Sequence, residues 1–212
     1  WGDWGGISDG DVNAASDRAI ADLGAGPIAE ADINRNNRLI RSGAERLGIA
    51  GHALHHNRTG CVGSGYCLIG CAYDAKRGTL VAHIPRALAA GAQLWCDARV
   101  DRIERGSGGA RVLGADFEVS AERVFVCAGT IHTPGILARS GLGGPALGRH
   151  LSLQPQGPVL ALFADDVVLH RGIPQSWAVD GRLQATAEGG LGGFAIEGVA
   201  GGPAMTASMM PL

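Results

Sequence analysis

The chain has 212 residues, of which 46% are hydrophobic and 18% are charged, so it can bury a core and does not have the composition of a disordered protein. The formal net charge is −2, and without a basic block a nucleic-acid partner has no electrostatic support. No apolar run approaches the roughly 18 residues of a membrane span, and the first residues do not have the pattern of a signal peptide.

The first part of the chain is predicted to be helical. Apolar residues at helical spacing predict helices over 11–24 and 36–48, and Asn36 or Asn37 is expected to cap the second helix. Residues 24–29 match the Gly-x-Gly-x-x-Ala pattern of a dinucleotide-binding fingerprint. They follow a polar helix rather than a buried strand, however, so a turn is the favoured interpretation.

A segment without periodicity, 51–74, is predicted to form a long loop of the kind that often carries function. It holds Cys61, Cys67 and Cys71. Three interpretations remain open: thiols that only pack in the loop, a disulfide, or a metal ion or iron–sulfur cluster. The total of five cysteines is odd, which argues against a fully paired disulfide framework and favours a reducing, cytoplasmic environment.

The pattern becomes sharper beyond this loop. A helix is predicted over 75–90, with a kink or break at Pro85. Strands are predicted over 93–104 and 110–119. The nearly all-apolar run 123–129 ends in glycine and is typical of a strand buried on both faces of a parallel sheet.

The remainder of the chain contains one more helix and several short strands. The helix is predicted to start at Pro134 and to end at Gly141. After Gly148 the sequence pattern changes to short apolar runs separated by Gly, Pro and Asp, which predicts a domain boundary near residue 150. Strands are predicted beyond that boundary over 159–163, 177–179 and 192–196.

One segment has a specific resemblance. Residues 129–143 run Gly-Thr-Ile-His-Thr-Pro-Gly-Ile-Leu-Ala-Arg-Ser-Gly-Leu-Gly and resemble the second signature of the glucose–methanol–choline (GMC) oxidoreductases at every constrained position. Residues 70–103 resemble the middle section of that family. The cysteine-rich lead-in is similar to that of bacterial members and long-chain alcohol oxidases, although Ser64 stands where a second cysteine is usual and Gln154 where a histidine is usual.

The resemblance implies an α/β fold (α+β overall), with part of a doubly wound FAD-binding domain and part of an antiparallel-sheet substrate domain. It implies that the backbone at Val100 meets the adenine end of FAD and that Ala128 and Gly129 lie near the cofactor. The expected domain segments are a helical and cysteine-rich segment bordering the substrate domain, an FAD-binding segment and a substrate-domain segment, at 1–72, 73–150 and 151–212.

The resemblance also implies a reaction: FAD-dependent oxidation of the CH–OH group of a small-molecule alcohol, with an electron acceptor that the sequence does not identify. The family's Gly-x-Gly-x-x-Gly unit and its catalytic histidine have no counterpart in these 212 residues. We therefore assign no catalytic residue and no metal ligand, and we expect an internal fragment. Two alternatives remain, an iron–sulfur electron-transfer dehydrogenase subunit that uses the three loop cysteines, and a non-catalytic truncated module.

Overall fold

The computed structural model describes residues 6–180, 184–185, 191–199 and 203–208. The helices of these residues are α1 Asp9–Leu23, α2 Arg35–Arg46, α3 Thr79–Ala82, α4 Ile84–Ala89, α5 Gly129–Arg139 and α6 Pro203–Ser208. The strands are β1 Ala25–Pro27, β2 His52–Ala53, β3 His55–Asn57, β4 Val100–Gly106, β5 Gly109–Gly114, β6 Glu118–Ala121, β7 Trp177–Val179, β8 Gln184–Ala185, β9 Leu191–Gly192 and β10 Ile196–Glu197.

The chain divides into two compact units. The first comprises 1–92 together with 162–212, and the second comprises 93–161. In the first unit β1 pairs with β3, β8 pairs with β9, and β7 lies between β2 and β10. Ile28, Ile33 and Ile173 form the buried centre of this unit. A single-residue parallel bridge joins Ile33 to Ile173, so the later part of the chain returns to the early loops.

Helix α2 is fastened to the strand region by one buried amide. Asn34 caps the helix, since its side chain accepts a hydrogen bond from Asn37 N. We expected Asn36 or Asn37 to be the cap, and this was wrong because the helix begins earlier, at Arg35. Asn37 is instead fully buried, and its Oδ1 accepts hydrogen bonds from the backbone N–H groups of Ser176 and Trp177.

The second unit is built on an antiparallel meander in the order β4–β5–β6, with α5 packed against β4. The predicted strand 110–119 is in fact two strands, because the chain turns at 115–117 and Gly114 N donates to Phe117 O at 3.0 Å. The predicted strand 93–104 begins only at Val100, since Asp97 has a φ of 56° that interrupts an extended chain.

The largest correction concerns the run 123–127, which the sequence predicts as a strand buried on both faces. It is not a strand, and Phe125 is 84% exposed. An apolar strand is buried on both faces only inside a sheet whose two faces are covered by other elements, and no described strand pairs with this run. The same holds for the predicted strand 159–163, where Val159 is 94% exposed.

Other expectations are confirmed. The predicted break near Pro85 separates α3 from α4, and β7 spans the predicted 177–179. The chain is a mixed α and β protein, and the pairings between its described strands are antiparallel. Among the described residues no helix is both long and apolar enough to cross a membrane.

Candidate functional site

The first candidate region is the start of α5 in the second unit. The helix was predicted to start at Pro134, but it begins five residues earlier, at Gly129. Ala128 precedes the helix, and its N–H donates to Thr133 Oγ1 at 3.1 Å. Gly129 has a φ of 77°, and a Cβ built on it would meet no atom within 4 Å. This start is therefore an exposed backbone step with open space in front of it.

Such a step suits an anionic or polar ligand. The first N–H groups of an α-helix have no acceptor within the helix, and the helix dipole gives that end a partial positive charge. A glycine adopts a positive φ without strain and lets a ligand approach the main chain closely. The residues at 128 and 129 thus fit the close approach of a nucleotide cofactor that the sequence led us to expect.

The structure places Val100 away from this step. Val100 is the half-buried first residue of β4, and the backbone carbonyl of the next residue, Asp101, accepts a hydrogen bond from Arg139 Nε at 2.8 Å. Arg139 is the last residue of α5, and an 11-residue helix is about 16 Å long. Val100 and Gly129 therefore lie near opposite ends of α5, so contact with both would require an elongated ligand.

Two hydroxyl groups that we did not single out as site residues fix this arrangement. Ser140 Oγ accepts from Ile103 N at 2.8 Å and donates to Ile136 O at 2.7 Å, which ties the end of α5 to β4. Thr133 Oγ1 holds the backbone at Ala128. Both residues occupy Ser/Thr positions of the signature over 129–143. The sequence therefore marked these two positions, but it did not show that their hydroxyl groups bind backbone groups.

The second candidate region is the cysteine-rich loop of the first unit. Cys61, Cys67 and Cys71 are half-buried free thiols, and all three line a cavity of about 250 Å³. Among the described residues no group of three or more His, Cys, Asp and Glu side chains is arranged to hold a metal ion. The geometry therefore gives the iron–sulfur interpretation no support.

The three thiols differ in their surroundings. Burial raises the pKa of the Cys67 thiol, and the neighbouring thiols of Cys61 and Cys71 raise it further. Hydrogen bonds from the backbone N–H groups of Lys76 and Tyr73 lower the pKa of the Cys71 thiol, with a smaller contribution from Ala75. The pKa of the Cys71 thiol is thus lowered, and that of the Cys67 thiol is raised.

Comparison with known proteins identifies the family. The family model for GMC oxidoreductases matches residues 3–156, which is more than half of the chain. The chain belongs to the GMC oxidoreductase family. The resemblance found over 129–143 is therefore confirmed.

Similar proteins are found in bacteria and plants. An uncharacterized GMC-type oxidoreductase of Mycobacterium tuberculosis is 40% identical over 182 residues, which are 82% of this chain and 29% of that protein. Another, from Sinorhizobium fredii, is 34% identical over 71% of this chain and 31% of its own length. A long-chain-alcohol oxidase of Arabidopsis thaliana is 30% identical over 57% of this chain and 18% of its own length. The chain thus spans less than a third of the length of these relatives, and no solved structure gives a significant match.

Proposed function

We propose that the chain contributes part of the FAD site of an oxidoreductase that oxidises the CH–OH group of a small-molecule alcohol, with hydride transfer to the flavin. The observation that carries the proposal is the open, positive-φ step at Gly129, directly before the free N–H groups of α5. Membership of the GMC oxidoreductase family supports the reaction class. The name of the plant relative, a long-chain-alcohol oxidase, supports an alcohol as substrate.

In this proposal each site residue has a main-chain role. Ala128 and Gly129 let the cofactor approach the backbone, because neither presents a side chain larger than a methyl group. Val100, near the other end of α5, meets the adenine end of the cofactor through its backbone. FAD, when bound, supplies the two-electron acceptor that the side chains of a protein cannot provide.

The domain assignment follows from the same proposal. Residues 73–150 contribute to a doubly wound FAD-binding domain, and 151–212 contribute to a substrate domain built on an antiparallel sheet. Residues 1–72 border the substrate domain. The alcohol and the electron acceptor are left open, since no described residue is assigned to either.

The test uses the protein expressed from the longest reading frame that contains these 212 residues. We expect flavin absorbance in the purified protein and bleaching of that absorbance when a long-chain alcohol is added without oxygen. In Gly129→Val, a β-branched side chain at a positive φ fills the open step, and we expect at least about tenfold weaker flavin binding.

Gly144→Val is the matched control. Gly144 lies in the same unit, a Cβ there would meet no atom within 4 Å, and its φ is outside the left-handed region. We expect this variant to keep its flavin. Protein without flavin, or a folded Gly129→Val variant with unchanged flavin affinity, would contradict the proposal. Thermal unfolding of both variants separates loss of the cofactor from loss of the fold.

A further inference from the structure

The thiol cluster of the first unit serves no role in the proposed FAD site. Cys61, Cys67 and Cys71 lie within eleven residues of one loop and line one cavity of about 250 Å³. Between the last two thiols the chain makes a tight turn, in which Gly70 N donates to Tyr66 O at 3.0 Å. The turn brings two cysteines four positions apart to the same cavity.

Cys71 sits in a cradle of backbone donors. Asp74 N donates to Cys71 O at 3.3 Å and closes a turn, and Asp74 itself has a φ of 51°. This left-handed residue reverses the chain directly after Cys71, and hydrogen bonds from the backbone N–H groups of Lys76, Tyr73 and Ala75 lower the pKa of the Cys71 thiol. Several amide donors converging on one atom form an anion-binding concavity, and here that atom is a thiol that can ionise.

Cys67 is the natural partner of this thiol. The thiols of Cys61 and Cys71 both raise the pKa of the Cys67 thiol, and all three line the same cavity. Cys61 is otherwise engaged, because it packs against the buried isoleucine cluster and its sulfur accepts a hydrogen bond from Gly63 N at 3.4 Å. We propose that Cys71 and Cys67 form a redox-active dithiol that reacts with low-molecular-weight disulfides, with Cys71 as the attacking thiol and Cys67 as the resolving thiol.

The reaction balances without a metal or flavin. The Cys71 thiolate attacks one sulfur of the small disulfide, whose S–S bond breaks, and one small thiolate leaves. Cys67 then loses its proton to solvent and attacks the Cys71 sulfur, and the second small thiolate leaves. The two cysteines are oxidised to one disulfide, and the small disulfide is reduced to two thiols.

Several charged and titratable groups surround the two sulfurs. Asp74 opposes ionisation of Cys71, and Lys76 favours ionisation of Cys67. His56, Arg58 and Tyr73 line the same cavity. These groups define which substitutions change the reactivity of each thiol through charge rather than through packing.

The first experiment treats the full 212-residue chain with glutathione disulfide and follows the tryptic peptide 59–76, which carries all three thiols, by tandem mass spectrometry. We expect a link between Cys67 and Cys71. In Cys67→Ser the mixed disulfide with glutathione accumulates on Cys71, since no thiol resolves it. In Cys71→Ser consumption of the reagent slows by at least about tenfold. Cys61→Ala is the matched control and forms the same link as the original chain.

The second experiment measures the rate at which iodoacetamide alkylates Cys71 as a function of pH. Asp74→Asn removes the opposing charge, and asparagine tolerates the left-handed backbone, so we expect the pH midpoint for Cys71 to move to lower pH. Glu45→Gln, a charge change on α2 of the same unit, is the control and leaves the midpoint unchanged. An unchanged midpoint in Asp74→Asn would contradict the interpretation that the turn at Asp74 controls the reactivity of the Cys71 thiol.

Two further results would overturn the proposal. One is oxidation that links Cys61 to Cys67 and leaves Cys71 unmodified. The other is untreated protein that carries stoichiometric iron or zinc and has all three thiols blocked to the reagent, which would restore the metal interpretation of the loop. Neither experiment depends on flavin, so failure here is distinguishable from failure of the proposed FAD site.

Discussion

At the scale of single residues, Asn37 shows how a polar side chain can hold two distant segments together. Its Nδ2 donates to Asn34 Oδ1 at 2.7 Å and to Pro174 O at 2.8 Å, and its Oδ1 accepts from Ser176 N at 3.2 Å and Trp177 N at 3.0 Å. The amide therefore uses both its donors and both its acceptor positions. Every one of these bonds is made in a buried or partly buried setting.

We expect Asn37→Ala to lower the free energy of unfolding by about 2–4 kcal/mol, because buried backbone N–H groups would lose their acceptor. Asn36→Ala is the control, since Asn36 lies on the same helix and makes none of these bonds. Denaturant titration followed by tryptophan fluorescence measures both variants. Equal stability of the two variants would show that the amide does not hold the segments together.

His56 gives a pH dependence to the first unit. Burial lowers the pKa of this half-buried imidazole, and the positive charges of Arg58 and Lys76 lower it further, whereas the backbone at Gln175 and the Glu197 carboxylate act in the opposite direction. The fold thus favours the neutral ring. The stability that this provides is present above the ordinary value of about 6.5 and is lost as the pH falls from there through the lower folded value.

We therefore expect the free energy of unfolding to fall between about pH 7 and about pH 5, and this fall to be smaller in His56→Gln than in the original chain. His55→Gln is the control, since His55 is the exposed neighbour on the same strand. Denaturant titrations at the two pH values provide the comparison. The same pH slope in His56→Gln and in the original chain would exclude this histidine as the cause.

At the scale of secondary-structure elements, the turn between β5 and β6 depends on a glycine that is needed for space. A Cβ at Gly114 would lie 2.6 Å from Arg99 O and closer still to the ring of Phe117. That ring packs edge-to-face on Trp95, with 5.9 Å between centroids. A methyl group here has to displace either backbone or an aromatic pair.

Gly114→Ala should therefore destabilise the second unit by about 1–3 kcal/mol. Gly108→Ala is the control in the preceding turn of the same meander, where a Cβ would meet no atom within 4 Å, and we expect it to stay within about 0.5 kcal/mol of the original chain. Thermal unfolding monitored by near-ultraviolet circular dichroism reports on the Trp95–Phe117 pair. A fully stable Gly114→Ala variant would mean that the meander can open at this turn without cost.

The same elements show what the sequence could predict. Local signals sufficed for α1, α2, the break at Pro85 and β7, because each depends on spacing, caps or a proline within a few residues. The turn at 115–117 was missed, although Gly114 and Asp116 are residue types that are common in turns. The apolar run 123–127 could not be placed correctly, since its burial depends on partner strands that its own residues do not specify.

The candidate site also has features that local sequence predicts and features that depend on distant residues. The signature over 129–143 is local and led directly to Gly129 and to the family. The separation of Val100 from Gly129 could not be predicted, because it depends on two hydrogen bonds across almost 40 positions, one that Ser140 Oγ accepts from Ile103 N and one that Arg139 Nε donates to Asp101 O. The cradle around Cys71 also escaped prediction, since it depends on a left-handed conformation at Asp74, a non-glycine residue.

At the scale of the whole molecule, the chain spans less than a third of the length of its relatives, and the FAD site that we propose has only three assigned residues in it. We expect the 212-residue chain alone to bind FAD weakly and to turn over no alcohol. Equilibrium dialysis against FAD and an anaerobic bleaching assay measure the two properties. Retention of flavin through gel filtration, together with turnover, would show that these residues suffice.

The exposed apolar residues of the second unit give a further expectation. Leu153 is 79% exposed and Val159 is 94% exposed, in a segment without regular structure. Exposed apolar surface promotes association, so we expect the chain to self-associate as its concentration rises and to bind an apolar dye. The double substitution of Leu153 and Val159 by serine should reduce both effects.

Leu47→Ser, which removes a 73% exposed leucine at the end of α2, is the control, and we expect it to have little effect on either property. Sedimentation velocity provides the measurement, and equal association of the double variant and the original chain would mean that the adhesive surface lies elsewhere.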